Sequence, residues 1–114
     1  MALNYYKNEL KENAQLLASK GKGILAVDES TKTVGKRLAG IGVDNTEENR
    51  KAYRGMLFTT EGLGKYISGA ILFEETLYQN HQDGESMVKK LNDLGIIPGI
   101  KVDKGLNPLP GAGD

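Results

Sequence analysis

The chain has no cysteine and only one histidine among its 114 residues. Without cysteine there is no disulfide, no thiolate nucleophile and no thiolate metal site, a composition that suits a reducing compartment. With His81 alone, neither a histidine-rich metal centre nor Ser-His-Asp catalysis within these residues is expected. His81 lies in Asn80-His81-Gln82-Asp83-Gly84, a polar turn, which predicts a solvated loop histidine. Net charge is also lacking: 15 acidic residues balance 15 basic ones. A neutral chain gives no reason to expect a nucleic acid or an anionic membrane as partner, so any basic function must be local. No apolar run approaches the ~20 residues needed to cross a bilayer. The opening Met1-Ala2-Leu3-Asn4-Tyr5-Tyr6 has neither the basic start and apolar core of a secretory signal nor an Arg-rich, Ser-rich transit character. A cytoplasmic location is the expectation.

What is present is ordinary globular material, 39% hydrophobic and 26% charged, long enough for one domain with a core. Tyr6, Leu10, Ala14 and Leu17 recur at helical spacing between charged residues, predicting an amphipathic helix over Asn4–Ser19 that Gly21 stops. Ile24–Val27 is continuously apolar, the habit of a strand covered on both faces in a parallel sheet. A short basic helix is expected around Val34–Leu38. Asn45 with Glu48 resembles a capping box that opens a helix to about Thr59, burying Tyr53, Met56 and Leu57. Gly62 and Gly64 end it.

Tyr66–Phe73 reads as the second strand, with Gly69 marking a close backbone approach. Glu74–Gln79 is expected to turn once as a helix. A helix over Glu85–Leu94 places Met87, Val88, Leu91 and Leu94 on one face, and Gly95 caps it. The third strand spans Ile96–Asp103, with Pro98 near its start, where a missing donor is tolerated. Asn107–Asp114 is loop. Strands alternating with helices predict parallel βαβ units with right-handed crossovers, an α/β fold.

All three strands end in polar groups: Asp28, Glu29 and Ser30; Glu74, Glu75 and Thr76; Lys101, Asp103 and Lys104. In a parallel sheet these ends share one edge, where α/β enzymes build their sites. Each group alone is as well explained as a turn former, and Ser30 as a helix cap. Lys101 and Asp103 lie two apart and so project from one face, with Ile100 and Val102 on the other. On a covered strand such charges must pair with each other or meet a ligand. Ser30, Thr31, Thr33, Lys36 and Arg37 offer the hydroxyl donors and cations that a phosphate needs. No GxxxxGK[ST] pattern is present, so this is not a P-loop. Chemistry alone reaches a phosphate-handling α/β unit.

The segments GKGILAVDEST, GKRL, NTEENRKAYR, YISGAILFEETLYQ and GIKVDKG, in this order and spacing, resemble the N-terminal third of class I fructose-bisphosphate aldolases. GLGKYISGAILFEETLYQ and IIPGIKVDKGLNPLPG are most similar to the plant plastid branch. The resemblance implies a TIM (β/α)8 barrel, of which residues 1–114 hold the N-terminal helix and about three strands. It implies reversible cleavage of fructose 1,6-bisphosphate to dihydroxyacetone phosphate and glyceraldehyde 3-phosphate through a lysine Schiff base. No metal and no cofactor are implied, and the expected assembly is a homotetramer. Asp28 matches the family's active-site aspartate, which orients substrate hydroxyls and assists C3–C4 cleavage.

By the same resemblance, Ser30 and Thr33 match hydroxyls near a substrate phosphate, Thr33 standing where many relatives have serine. Arg37 matches a phosphate-binding arginine, Arg50 a substrate-binding position, and Lys101 the barrel lysine near the phosphate and the reacting centre, with Asp103 supporting it. The Schiff-base lysine and the proton-transferring glutamates are expected beyond Asp114, since a barrel needs at least ~200 residues. Residues 1–114 alone are therefore expected to be inactive. The plastid stroma is the alternative location, and an inactive phosphate-ligand-binding or interaction module is the alternative function. An open sheet edge predicts that residues 1–114 expressed alone aggregate or fold incompletely. A soluble, cooperatively melting monomer in size-exclusion chromatography and calorimetry would contradict this.

Overall fold

The computed structural model describes residues 2–111 and 113. Its elements run α1 (Ala2–Tyr5), α2 (Lys7–Leu17), β1 (Gly23–Val27), α3 (Thr31–Ala39), α4 (Glu47–Phe58), α5 (Leu63–Tyr66), β2 (Ile67–Leu72), α6 (Glu74–Leu77), α7 (Met87–Asp93) and β3 (Ile97–Ile100). The strands form one parallel sheet in the order β1-β2-β3. Because the order follows the sequence without reversing, consecutive crossovers of one hand lay their helices on a single face, as in a barrel rather than a doubly wound sheet.

Register decides what faces what. Leu25 pairs with Ala70 and Val27 with Leu72. Val27, Ala70 and Leu72 are buried in one cluster with Phe58, Met87, Leu91 and Ile96 from the helical side. On the opposite face Ile24 pairs with Gly69, Ala26 with Ile71, and Ile71 with Gly99. Ile24 is 54% exposed there. The expectation of strands covered on both faces therefore holds for β2 and fails for β1, because helices pack on one side only. Continuing this open face by steps of two leads from Ala26 to Asp28, and from Gly99 to Lys101 and Asp103.

Several local expectations shift for identifiable reasons. The N-terminal helix breaks at Tyr6 into α1 and α2, and none of α2 is buried. Its attachment to the sheet runs through Leu17, whose carbonyl accepts a 2.7 Å bond from Ser68 Oγ. A Cβ on Gly69 would lie 2.4 Å from Leu17 Cδ2, so Gly69 does mark a close approach, by this side chain. Helix α3 begins earlier than expected because Ser30 caps it, accepting from the Thr33 amide. Helix α4 is capped by Thr46, which accepts from the Asn49 amide at 3.2 Å, instead of by Asn45. Asn45 is engaged elsewhere, donating to the Thr31 carbonyl and accepting from Arg50.

The inner face of α4 is also rotated from the expected one. Met56 is 59% exposed, and Arg50, Arg54, Gly55 and Phe58 are buried. Tyr66 belongs to α5, so β2 starts at Ile67. Leu94 is exposed beyond α7, where Gly95 turns the chain with φ 74°. Strand β3 is shorter than expected, although the Lys101 amide still bonds the Leu72 carbonyl at 2.9 Å. Pro98 lies opposite Ala70 on this edge strand. His81 is half-buried rather than solvated: Gly55, lacking a Cβ, leaves it a seat, and a Cβ there would meet His81 Cδ2 at 2.8 Å. The terminal segment is loop through Gly111, and Ala112 and Asp114 of the expected loop lie outside the described residues.

Gly64 is the tightest backbone contact of the fold, since an added Cβ would sit 2.4 Å from the Leu94 carbonyl oxygen. Backbone cannot rotate away as a side-chain tip can. In the full-length protein, Gly64→Ala is expected to cost about 1–3 kcal/mol, whereas Gly23→Ala, which meets nothing within 4 Å, should stay within about 1 kcal/mol. Thermal melts of the two variants test the difference.

Candidate active site

At the carboxyl edge of the sheet a cleft of about 470 Å³ is lined by residues from all three strand ends. Asp28, Glu29, Ser30 and Thr33 come from β1 and the start of α3, Phe73 and Glu74 from the end of β2, and Lys101, Asp103, Lys104 and Gly105 from beyond β3. The open-face register explains the convergence, because Asp28 and Lys101 project from the same side of strands separated by β2. Their charged atoms, Lys101 Nζ and Asp28 Oδ2, stand 3.7 Å apart. Lys101 Nζ lies 3.1 Å from Asp103 Oδ2.

The electrostatics keep this lysine charged. Asp103, by hydrogen bond and by charge, and then Asp28 raise Lys101 above the ordinary lysine range. Asp103 in turn is held low, first by the Gly105 amide, which donates to it at 3.0 Å, and then by Lys101. An ammonium so held is a fixed cation and hydrogen-bond donor at neutral pH, not a nucleophile. At the rim, Lys104 Nζ donates to Glu74 Oε2 at 2.7 Å, linking the ends of β3 and β2. Ser30 Oγ is 3.2 Å from Thr33 Oγ1, so both hydroxyls stand at the first turn of α3, whose free amides add further donors.

The remaining expected site residues are placed differently. Arg37 is on α3 outside the cleft lining, 58% exposed, with Nη1 2.7 Å from Glu29 Oε2. A hydrogen bond from Tyr53 and then the Glu29 charge raise it further above its already high value. Arg50 is buried on α4 with its fork engaged: Nε and Nη2 donate to Glu75 at 2.9 and 2.8 Å, and Nη1 to Asn45 at 2.9 Å. The structure thus gathers Asp28, Ser30, Thr33, Lys101 and Asp103, and leaves Arg37 and Arg50 outside.

Arg54 was not anticipated. It is completely buried, donates from Nη2 to the Glu29 carbonyl, and lies 5.5 Å from the centroid of Phe73. The available signal was its spacing: residues 50, 54 and 58 share a helix face with the apolar residues that anchor it. Among the described residues no group of His, Cys, Asp and Glu could hold a metal ion, and no helix is long and apolar enough to cross a membrane.

A sequence-ordered parallel sheet with helices on one face and a charged cleft at its carboxyl edge defines the chain as part of an α/β-barrel enzyme. Residues 9–114 match the family model described as fructose-bisphosphate aldolase class-I. The chain is 62% identical over 109 residues to fructose-bisphosphate aldolase 3, chloroplastic, of Arabidopsis thaliana, covering 96% of this chain and 28% of that protein. It is 66% identical over 102 residues to fructose-bisphosphate aldolase 1 of Toxoplasma gondii, covering 90% and 28%. It superposes with a TM-score of 0.88 and 57% identity on a fructose-bisphosphate aldolase from Plasmodium falciparum, solved with TRAP and a small-molecule inhibitor, covering 93% of this chain and 30% of that one. The chain belongs to the class I fructose-bisphosphate aldolase family, and it spans less than a third of the length of these relatives.

The Arg50 fork holds Glu75 below the ordinary glutamate value of 4.5. A carboxylate whose folded value is depressed stabilises the fold fully above its unfolded value, and that contribution is lost as pH falls through the folded value. Glu75→Gln in the full-length protein is therefore expected to cost about 2–3 kcal/mol near neutral pH. The gap between variant and parent should close as pH is lowered below about 4.5, as followed by chemical denaturation across pH.

Proposed function

We propose that the full-length protein is a fructose-bisphosphate aldolase that cleaves fructose 1,6-bisphosphate to dihydroxyacetone phosphate and glyceraldehyde 3-phosphate, with residues 1–114 forming part of its single barrel domain. The observation that supports this most is the meeting of Asp28 and Lys101, 3.7 Å apart, from the ends of two non-adjacent strands in a chain of this family. Asp28 orients the substrate hydroxyls and assists breaking of the C3–C4 bond. The hydroxyls of Ser30 and Thr33, with the amides of the α3 first turn, face a substrate phosphate. Lys101, kept protonated by Asp103 and Asp28, places positive charge between that phosphate and the reacting carbon.

The covalent lysine is assigned outside residues 1–114, because the cationic setting of Lys101 opposes nucleophilic attack and Lys104 is bound to Glu74. In this reading Arg37 reaches a phosphate only by leaving Glu29, and Arg50 serves the site by bracing α4 against the end of β2. The chloroplastic names of the Arabidopsis and spinach relatives favour the plastid stroma over the cytoplasm. A homotetramer is the expected assembly, and sedimentation of the full-length protein measures it.

Borohydride reduction of the full-length protein with dihydroxyacetone phosphate should leave a stable adduct on a lysine outside residues 1–114. An adduct on any lysine within them would overturn the assignment. Absence of turnover together with tight binding of inorganic phosphate would favour the binding-module reading instead. Asp28→Asn should lower kcat for cleavage by about 100-fold or more, and Lys101→Met should lower kcat/KM by about 100-fold or more, both with the fold intact by circular dichroism.

A further inference from the structure

The side chain of Arg54 crosses from α4 to the back of the cleft wall. Its Nη2 donates to the carbonyl of Glu29. That carbonyl belongs to the peptide joining Glu29 to Ser30, with Asp28 on the adjoining peptide. The guanidinium also stacks on Phe73, which lines the cleft at the end of β2. Glu75 Oε1 stands 3.7 Å from Nη1. Arg54 therefore touches the chain immediately behind two of the strand ends that make the site, without lining the cleft itself.

This is an expensive place for a cation. Arg54 is 0% exposed, and burial pulls its guanidinium below the ordinary arginine range, against the favourable charges of Glu29 and Glu75. Nε and Nη1 find no hydrogen-bond partner among the described residues, nor does Glu29 Oε1. A buried charge with unfilled donors is a poor way to stabilise a core, and an apolar side chain of similar size would often serve stability as well or better. Nor are the carboxylates in need of it, since Glu75 is already held by Arg50 and Glu29 by Arg37. What no apolar side chain could do is fix the direction of the Glu29 carbonyl.

We propose that Arg54 is a positioning residue for the reaction, holding the Glu29–Ser30 peptide so that the Asp28 carboxylate keeps its place beside Lys101. The inference rests on the reading of Asp28 as a group that touches substrate. A displacement of the order of 1 Å at such a group costs roughly 100-fold in rate, so the bond need not be strong to matter.

The test is a double-mutant cycle in the full-length protein, with kcat for fructose 1,6-bisphosphate cleavage measured under single turnover. Arg54→Met is expected to lower kcat by about 10- to 100-fold in the parent. In the Asp28→Asn background the same change should have less than about a twofold further effect, because the residue through which Arg54 acts is already lost. A purely structural arginine would lower activity by the same factor in both backgrounds. Arg54→Lys keeps the charge and most of the packing, and carries the cycle if Arg54→Met does not fold; a fall of about threefold that vanishes with Asp28→Asn is expected. Equal factors in the two backgrounds, or kcat within about twofold of the parent, overturn the positioning role alone. A full-length parent without cleavage activity overturns the aldolase reading, and with it this role.

Discussion

Two arginines on the inner side of α4 have to be neutralised where apolar residues would otherwise be, and much of the local architecture follows from how this is done. Arg50 takes Glu75 with two parallel bonds and Asn45 with a third, tying the helix both to the end of β2 and to its own N-terminal loop. Arg54 reaches past it to the end of β1. One turn of helix thereby fixes two strand ends and the loop that Asn45 anchors to the Thr31 carbonyl. The apolar cluster of Phe58, Leu72, Met87 and Leu91 supplies the burial that holds the sheet and helices together. The arginines determine how the polar edge of that cluster is aligned.

The division of labour between the sheet faces follows from the same geometry. Helices pack on one face, and the other carries small or aliphatic groups up to the point where the strands end and charges begin. A residue on that second face is spaced by strand pairing rather than by side-chain packing, so Asp28 and Lys101 meet across β2 through register alone. Arg54, Phe73 and Glu29 form the layer behind them, which is how sites on strand ends gain stiffness from elements that never touch a ligand.

Much of this was legible in the sequence because strand ends are marked twice, by the close of an apolar run and by the start of a polar one. Ile24–Val27 followed by Asp28, and GIKVDKG after a glycine-capped helix, give both the edge and the face without reference to partners. The α4 interior was not legible for the opposite reason. Periodicity counts arginine as solvent-facing, so Met56 was assigned inward, and the actual face was set by ion pairs with residues 25 positions away. The capping residue of α4 was missed by one position because Asn45 and Thr46 are both good caps, and only the Thr31 carbonyl decides between them. His81 was misjudged because its burial depends on the missing side chain of Gly55, a tertiary fact invisible in a polar pentapeptide. Arg37 and Arg50 have matching motifs, but a motif does not show which carboxylate each guanidinium will find.

The cleft lining has an unequal charge count. Four carboxylates, Asp28, Glu29, Glu74 and Asp103, face two ammonium groups, Lys101 and Lys104. A bisphosphate entering this wall alone would meet more repulsion than attraction at long range, and each lysine it approached would have to be shared with, or released from, an acid it already holds. The wall is therefore selective before it is sticky: it ranks ligands by where their hydroxyls and phosphates fall, while affinity for the anion must come from neutral donors and from cations outside these residues. Adding salt should weaken the internal pairs and the long-range repulsion together, which makes ionic strength a dial on the discrimination of this cleft more than on its grip.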